Sequence, residues 1–188
     1  MPLTGAAAAR LYDDHVDAVH AMVARRVGPD LAPQVVGEAF EHAVRSWERF
    51  DVGRGTERLF LFGAASAVLR RHADAESDHI RSIRPAVTRS GVIHDPLVGG
   101  HAARRSNVVE RNTDVADAAD DVDTPERRLV HAIAALPPDD RDIVLLSLWE
   151  SCSQSAIAEA LDLSVGTVRS ALGRIRRELK GAVSGDPS

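Results

Sequence analysis

The chain has 188 residues, 44% of them hydrophobic and 27% charged, which is the composition of a globular protein with one or two domains. No apolar stretch near the start is long enough to span a membrane, and a single cysteine, Cys152, forms no internal disulfide, so we expect a cytosolic protein. The net charge of −5 argues against a nucleic-acid partner, but its distribution reverses that conclusion. Residues 73–126 carry six arginines and eleven acids, whereas Val165–Lys180 carries five basic residues and one acid.

The first third of the chain shows helical periodicity. Apolar residues spaced by three and four positions predict a helix over residues 6–27, which Gly28-Pro29 ends. A second helix is expected to start near Asp30, because the carboxylate of this residue can cap free N–H groups. After the glycine-containing turn Asp51–Gly55, a third helix is expected over residues 56–72.

The periodicity is lost between residues 73 and 123. Prolines and glycines interrupt this segment, and its last part, Asp114–Asp123, is an acidic run interleaved with alanine and valine. A stretch of about 50 residues without a pattern is too long for a loop inside a compact domain. We therefore predict that residues 73–123 form a flexible linker.

Order resumes at Thr124, a predicted N-cap that is followed by proline at the first helical position. Four helices are expected from there, namely Thr124 to Leu136, Pro137 to Trp149, Ser153–Ala160 and Ser164–Leu179. No segment alternates between apolar and polar residues as a half-buried strand does. The sequence therefore predicts an all-α fold with two small helical domains joined by the long flexible linker.

The last two predicted helices have the dimensions of a helix-turn-helix: a short helix, a tight turn and a longer basic helix. The longer helix has an inward apolar stripe, formed by Val168, Leu172, Ile175 and Leu179. Its opposite side carries arginines, which can donate two hydrogen bonds to guanine or neutralise phosphates. A solvated face of an amphipathic helix is the alternative interpretation, but the local excess of basic residues favours DNA binding.

Two parts of the chain also resemble a known family. Leu136–Arg141 together with Ser164–Ser170 resembles region 4 of the extracytoplasmic-function sigma factors of bacterial RNA polymerase. In the first third, Asp30–Phe40 and Arg49–Gly63 resemble region 2 of the same family. The resemblance follows the family's order and spacing over residues 11–72 and 125–180. Two such matches on one chain are more specific than a single helix-turn-helix.

The resemblance implies a division of labour along the chain. Residues 6–72 would be region 2, which binds core polymerase and captures the melted −10 element, and residues 124–180 would be region 4, which reads the −35 duplex. Residues 73–123 would be the linker and residues 181–188 a tail. The implied partners are promoter DNA and core RNA polymerase, through the clamp of the β′ subunit and the flap of the β subunit. An anti-sigma factor is a further candidate partner, and no cofactor, metal or membrane insertion is expected.

The resemblance also implies which residues bind. Six residues on the recognition helix are expected at the −35 element: Thr167, Arg169, Ser170, Arg174, Arg176 and Arg177. The glycine-containing turn and the third helix are expected to supply the −10 contacts, with Asp51, Arg54, Gly55, Arg58, Arg70 and Arg71. The polar side of the second helix is expected to dock on the polymerase through Asp30, Gln34, Glu38 and Glu41.

Other functions are less well supported by the residues. His94-Asp95 is similar to part of a metal phosphohydrolase motif but lacks partner ligands, so we do not expect an enzyme. A stand-alone helix-turn-helix regulator that binds operators as a dimer is the main alternative, and the double family match argues against it. A third interpretation is a sigma-like protein that binds polymerase without initiating, because Ala67 and Ala171 stand where the family has asparagine and a basic residue.

Overall fold

The computed structural model describes residues 3–51, 53, 55–83 and 124–184. Helices α1 to α8 span, in chain order, Gly5–Val27, Ala32–Arg45, Glu57–Leu69, Ala73–Ser82, Pro125–Ala135, Pro138–Leu148, Gln154–Ala160 and Val165–Ser184, with short 3-10 turns at Trp47–Arg49 and Arg70–His72. These described ranges contain no strand, and the all-α prediction is confirmed. The predictions for Arg54, for residues 84–123 and for the end of the tail lie outside the described residues.

Side-chain caps begin most of the helices where the sequence predicts. The Thr124 side chain accepts a hydrogen bond from the Arg127 backbone N–H, and Ser153 and Thr56 act in the same way at α7 and α3. The cap predicted at Asp30 is wrong, since α2 begins at Ala32 without a side-chain cap. Here the Ala32 N–H donates to the Gly28 carbonyl at 3.2 Å, so the backbone provides the bond.

The predicted linker is wrong over its first ten residues, because Ala73–Ser82 form α4. One apolar side chain of this helix, Ile80, is buried, and so are the polar residues Glu76 and Ser77. The Ser77 hydroxyl donates to the Ala134 carbonyl at 3.1 Å, and Glu76 accepts hydrogen bonds from two arginines. A helix that is held mainly by polar tertiary contacts has no apolar stripe, and periodicity therefore misses it.

The two expected helical parts are present, and they pack directly against each other. Helices α1 to α4 form the first part and α5 to α8 the second; α4 packs on α5, and α3 packs on α7. The buried apolar side chains of both parts form one cluster. Next to it, the rings of Trp47, Phe50 and Phe60 lie 4.6–5.6 Å apart. In the described part of the chain, no helix has the length and apolar character that crossing a membrane requires.

Candidate nucleic-acid interface

Helices α7 and α8 form the predicted helix-turn-helix. Residues between them turn sharply, since Asp162 has a φ of 55° and the Leu163 N–H donates to the Ala158 carbonyl at 2.7 Å. Ser164 caps α8, because its hydroxyl accepts a hydrogen bond from the Thr167 N–H at 3.0 Å. The start of α8 is therefore fixed relative to α7.

The two faces of α8 are those that the sequence predicts. Val168, Ile175 and Leu179 are buried, and Leu172 is half-buried. Ala171 is also buried, so a basic side chain at this position would point towards the interior. The six residues expected at the −35 element are all exposed: Thr167, Arg169, Ser170, Arg174, Arg176 and Arg177. The helix thus presents a basic outer surface of the kind that fits the major groove.

Arg174 differs from the other arginines of this surface because α6 holds it. Its two Nη atoms donate to both carboxylate oxygens of Asp140, at 2.7 and 2.8 Å. The hydrogen bond to Asp140 raises the pKa of Arg174 above its ordinary value. Arg169 is held more loosely, with its Nε 3.5 Å from the Gln154 amide oxygen. Arg174 is therefore oriented before any ligand arrives.

The turn expected at the −10 element is locally ordered around Asp51. The Asp51 carboxylate accepts a hydrogen bond from the Gly53 N–H at 2.8 Å, and the Asp51 carbonyl accepts one from the Gly55 N–H at 3.2 Å. Arg58 lies over the Phe62 ring, 5.0 Å from its centre. A cavity of about 630 Å³ opens beside this turn. Its lining includes Asp51 and Arg70 from the first part and residues 159–162 from the second.

The structure does not bring all of the expected −10 residues together. Arg70 borders the cavity, whereas the next residue, Arg71, donates to the Glu38 carboxylate at 2.7 Å. Arg70 in turn has its Nε 3.0 Å from Asp139 and from Asp142, both in α6. The two arginines are neighbours in the sequence, but Arg70 contacts α6 and Arg71 contacts α2.

The residues expected to contact polymerase lie on or just before α2. Asp30, Gln34 and Glu41 are exposed, and Glu38 is half-exposed. Glu38 is the centre of a small network, since it accepts hydrogen bonds from Arg71 and from the Gln34 amide at 3.1 Å. These hydrogen bonds, that of Arg71 above all, lower the pKa of Glu38 below its ordinary value. Glu41 pairs with Arg45 one turn further along, at 3.5 Å.

A buried charged cluster, which the sequence does not predict, lies between the two parts. Arg26 of α1 donates to Glu76 of α4 and to Asp142 of α6, at 2.5 Å in both cases. Arg141 of α6 donates to the second oxygen of Glu76 at 3.0 Å. All four side chains are almost fully buried. Because these contacts join positions that are 50–116 residues apart, no local pattern could have revealed them.

The charges of this cluster compensate each other. Burial would by itself lower the pKa of the Arg26 guanidinium, but the carboxylates of Asp142 and Glu76 outweigh it and hold that pKa above its ordinary value. Arg141 also donates to the backbone carbonyls of Ala73, Ala134 and Leu136, at 2.9–3.1 Å. The cluster therefore has a structural role at the junction. Among the residues that the structure describes, no group of histidine, cysteine and carboxylate side chains has the arrangement of a metal site.

The sequence is similar to those of known proteins. Residues 126–179 match the family described as sigma-70, region 4. An ECF RNA polymerase sigma-E factor of Haemophilus influenzae is 27% identical over 182 residues, which cover 92% of this chain and 85% of that protein. An RNA polymerase sigma-E factor of Streptomyces antibioticus is 43% identical over 56 residues, which cover 28% of this chain and 31% of that protein.

Two solved structures have a similar fold. One is the sigma factor RpoE in complex with the anti-sigma factor NepR from Bartonella quintana, with a TM-score of 0.50, 14% identity, and coverage of 95% of this chain and 98% of that one. The other is CnrH in complex with the cytosolic domain of CnrY, with a TM-score of 0.52, 21% identity, and coverage of 98% and 92%. At these identities the likeness is one of fold.

Proposed function

We propose that this chain is an alternative sigma factor for transcription initiation, because residues 126–179 match the sigma-70 region 4 family and the chain is similar to an ECF sigma-E factor over most of its length. We propose further that it binds core RNA polymerase and selects promoters through two separate surfaces. The outer face of α8 reads the −35 duplex. The turn around Asp51 and the adjoining arginines capture one strand of the melted −10 element. The polar face of α2 docks on the polymerase.

The observation that carries this proposal is the exposed basic face of a capped recognition helix. Arg169, Arg176 and Arg177 are exposed on α8, and the N-terminus of this helix is fixed by Ser164. A major groove admits one helix, and arginine donates to guanine or to phosphate. The −10 role is supported by the cavity beside Asp51, since a single strand is held by cations and by pockets that accept unstacked bases.

Further assignments follow from this function. Glu38 and its neighbours on α2 would bind the clamp of the β′ subunit. The last four helices would bind the flap of the β subunit. One similar structure is that of a sigma factor in complex with an anti-sigma factor. We propose that an anti-sigma factor binds this chain as well. We place the protein in the cytoplasm with the polymerase, and we assign it no catalytic activity of its own.

Run-off transcription with core polymerase and a library of promoters tests the function. The wild-type chain should start transcription at a defined subset of promoters. Arg169→Ala should weaken selection at the −35 element, whereas Arg10→Ala, an exposed arginine of α1, should not. If no complex with core polymerase forms at micromolar concentration, and the chain instead binds duplex DNA as a dimer, it is a stand-alone regulator. A complex that never initiates would identify a sigma-like protein without promoter activity.

A further inference from the structure

We propose that Asp140 is a positioning residue for duplex recognition, because it holds Arg174 so that one edge of the guanidinium is free to pair with the O6 and N7 atoms of a guanine. Asp140 lies in the first turn of α6, and Arg174 lies on α8, 34 residues later. The inference rests on one part of the proposed function, namely that α8 reads duplex DNA. It adds an acidic residue of another helix to that recognition.

The contact between the two side chains uses only one edge of the guanidinium. The Nη1 atom of Arg174 donates to Oδ2 of Asp140 at 2.7 Å, and the Nη2 atom donates to Oδ1 at 2.8 Å. Nε and the outer hydrogen of Nη2 form a second edge, here called the free edge. No residue that the structure describes accepts a hydrogen bond from the Nε of Arg174. The free edge therefore keeps two parallel donors for a ligand.

The exposure of the two side chains differs strongly. The Asp140 side chain is 10% exposed, whereas that of Arg174 is 54% exposed. A contact between arginine and carboxylate that uses both oxygens fixes the plane of the guanidinium as well as its position. The nearly buried carboxylate thus orients Arg174 from the protein side, while more than half of the arginine side chain remains accessible to DNA.

The charge of this pair favours a base over a phosphate as the ligand. Because Asp140 neutralises Arg174, the pair as a whole is attracted only weakly by the negative charge of a phosphate. The O6 and N7 atoms of guanine are uncharged acceptors at fixed positions in the major groove, and arginine binds them through two donors. An arginine that is already oriented matches such fixed acceptors and loses less side-chain entropy on binding.

The residues beside Arg174 on α8 allow a close approach to base edges. Gly173 is exposed, and a Cβ at this position would meet nothing within 4 Å. Ser170, about one turn earlier, is also small and exposed. The surface of α8 is therefore shallow next to Arg174, which shortens the distance that its side chain must span to reach a base.

A purely structural role for Asp140 leads to a different expectation. A carboxylate in the first turn of α6 stabilises the dipole of this helix. The contact also joins α6 to α8, although these helices pack against each other and their buried apolar side chains belong to one cluster. Loss of either role lowers the thermal midpoint, but neither changes which base the folded protein prefers. Base preference is therefore the decisive measurement.

Three variants separate orientation from charge. Asp140→Asn removes the negative charge and one acceptor oxygen at nearly constant volume. Its matched control is Glu178→Gln, because Glu178 acts on Arg174 through its charge without a hydrogen bond. Both variants lose one negative charge, so both should bind all duplexes more tightly. Arg174→Lys keeps the positive charge but has no planar fork of donors.

The mobility of Arg174 tests the positioning without DNA. NMR relaxation of arginine Nε–H groups is measured in the isotopically labelled full-length protein, and the signal missing from Arg174→Lys identifies the group. We expect this group to be ordered in the wild type and in Glu178→Gln, and clearly more mobile in Asp140→Asn. Equal mobility in Asp140→Asn and the wild type overturns the positioning, whatever the function of the chain.

Selection from a library of random duplexes, with and without core polymerase, tests the recognition of guanine. The wild type should select a site in which one guanine is preferred over adenine. That preference should fall about two- to tenfold in Asp140→Asn, at least as far in Arg174→Lys, and remain in Glu178→Gln. In the Arg174→Lys background, Asp140→Asn should cause no further loss, since the two residues act as one unit.

The outcomes distinguish this inference from the proposed function. A guanine preference that survives in Asp140→Asn overturns the inference, even though α8 still reads DNA. A wild-type chain that prefers no sequence overturns the inference together with duplex reading by α8. Loss of the guanine preference in Asp140→Asn of a chain that never joins core polymerase supports the positioning and refutes the proposed sigma-factor function.

Discussion

The guanidinium of Arg26 and the carboxylate of Asp142 lie 116 residues apart in the chain and meet at 2.5 Å between Nη2 and Oδ1, in a site closed to solvent. The two residues come from α1 and α6, and the pair therefore joins the two helical parts. The second nitrogen contact of Arg26, from Nε to Glu76, ties α4 into the same site. One buried arginine thus connects three helices that the sequence presents as unrelated.

Replacing this arginine should destabilise the protein strongly. Arg26→Met leaves Glu76 and Asp142 buried with less positive charge around them, which costs about 3–5 kcal/mol of the free energy of unfolding. Urea denaturation followed by circular dichroism measures it. Arg45→Met is the matched control, because Arg45 pairs with Glu41 on the surface and should lose less than about 1 kcal/mol. Equal losses in the two variants would mean that burial adds nothing to the Arg26 contacts.

Arg169 and Arg174 should respond differently to alanine, although both are exposed on α8. Arg169→Ala should cost about 1–3 kcal/mol of discrimination at the −35 element if it contacts a base, with no change in the thermal midpoint. Arg174→Ala should also lower the thermal midpoint, because Asp140 loses both of its hydrogen bonds to the guanidinium. Differential scanning fluorimetry and a DNA titration separate the two effects. An unchanged midpoint in Arg174→Ala would show that the pair with Asp140 is only incidental.

Acid should weaken the fold through His79. Burial lowers the pKa of His79 below 6.5, so the unfolded chain takes up its proton at a higher pH than the folded chain does. The free energy of unfolding is therefore unaffected by this group above pH 6.5 and falls as the pH drops from there through the lowered pKa. Urea titrations at neutral pH and about one unit below 6.5 should show the loss.

Removing that histidine should flatten the pH dependence. His79→Gln should lose less stability between the two pH values than the parent, whereas His20→Gln, at an exposed position of α1, should behave as the parent does. Identical pH dependence in the parent and in His79→Gln would assign the effect to other groups. His42 is the first of these to examine, since burial and nearby arginines lower its pKa as well.

Two glycine substitutions should have opposite effects on stability. Gly28 ends α1 with a φ of 83°, and a Cβ there would lie 3.0 Å from the His79 ring. Gly28→Ala should therefore cost about 1–3 kcal/mol. Gly37→Ala, inside the exposed face of α2, should gain up to about 1 kcal/mol because alanine favours the helix. Thermal unfolding of the two variants measures both signs, and a Gly28→Ala variant as stable as the parent would contradict the strain at this turn.

Features that depend on a few neighbouring positions can be predicted from the sequence. The structure confirms the predicted cap at Thr124, the predicted end of α1 at Gly28 and the predicted two faces of α8. Each of these features depends on hydrogen bonds or side-chain spacing within about four residues. A helix has the same local geometry wherever it lies in a protein. The family resemblance depends on the same kind of local motif, and its region 4 part is confirmed by the match over residues 126–179.

The contacts that join the two parts depend on tertiary packing. Helix α4 has too few apolar residues to be predicted from periodicity. It is held by hydrogen bonds from Arg26 and Arg141 to Glu76, and by one from Ser77 to the end of α5. Arg70, expected at DNA, is paired with Asp142 of α6. Such ion pairs depend on which helices meet and at what depth, and not on the spacing within either one. A charged side chain looks the same in the sequence whether water, DNA or a distant carboxylate balances its charge, and only packing selects among them.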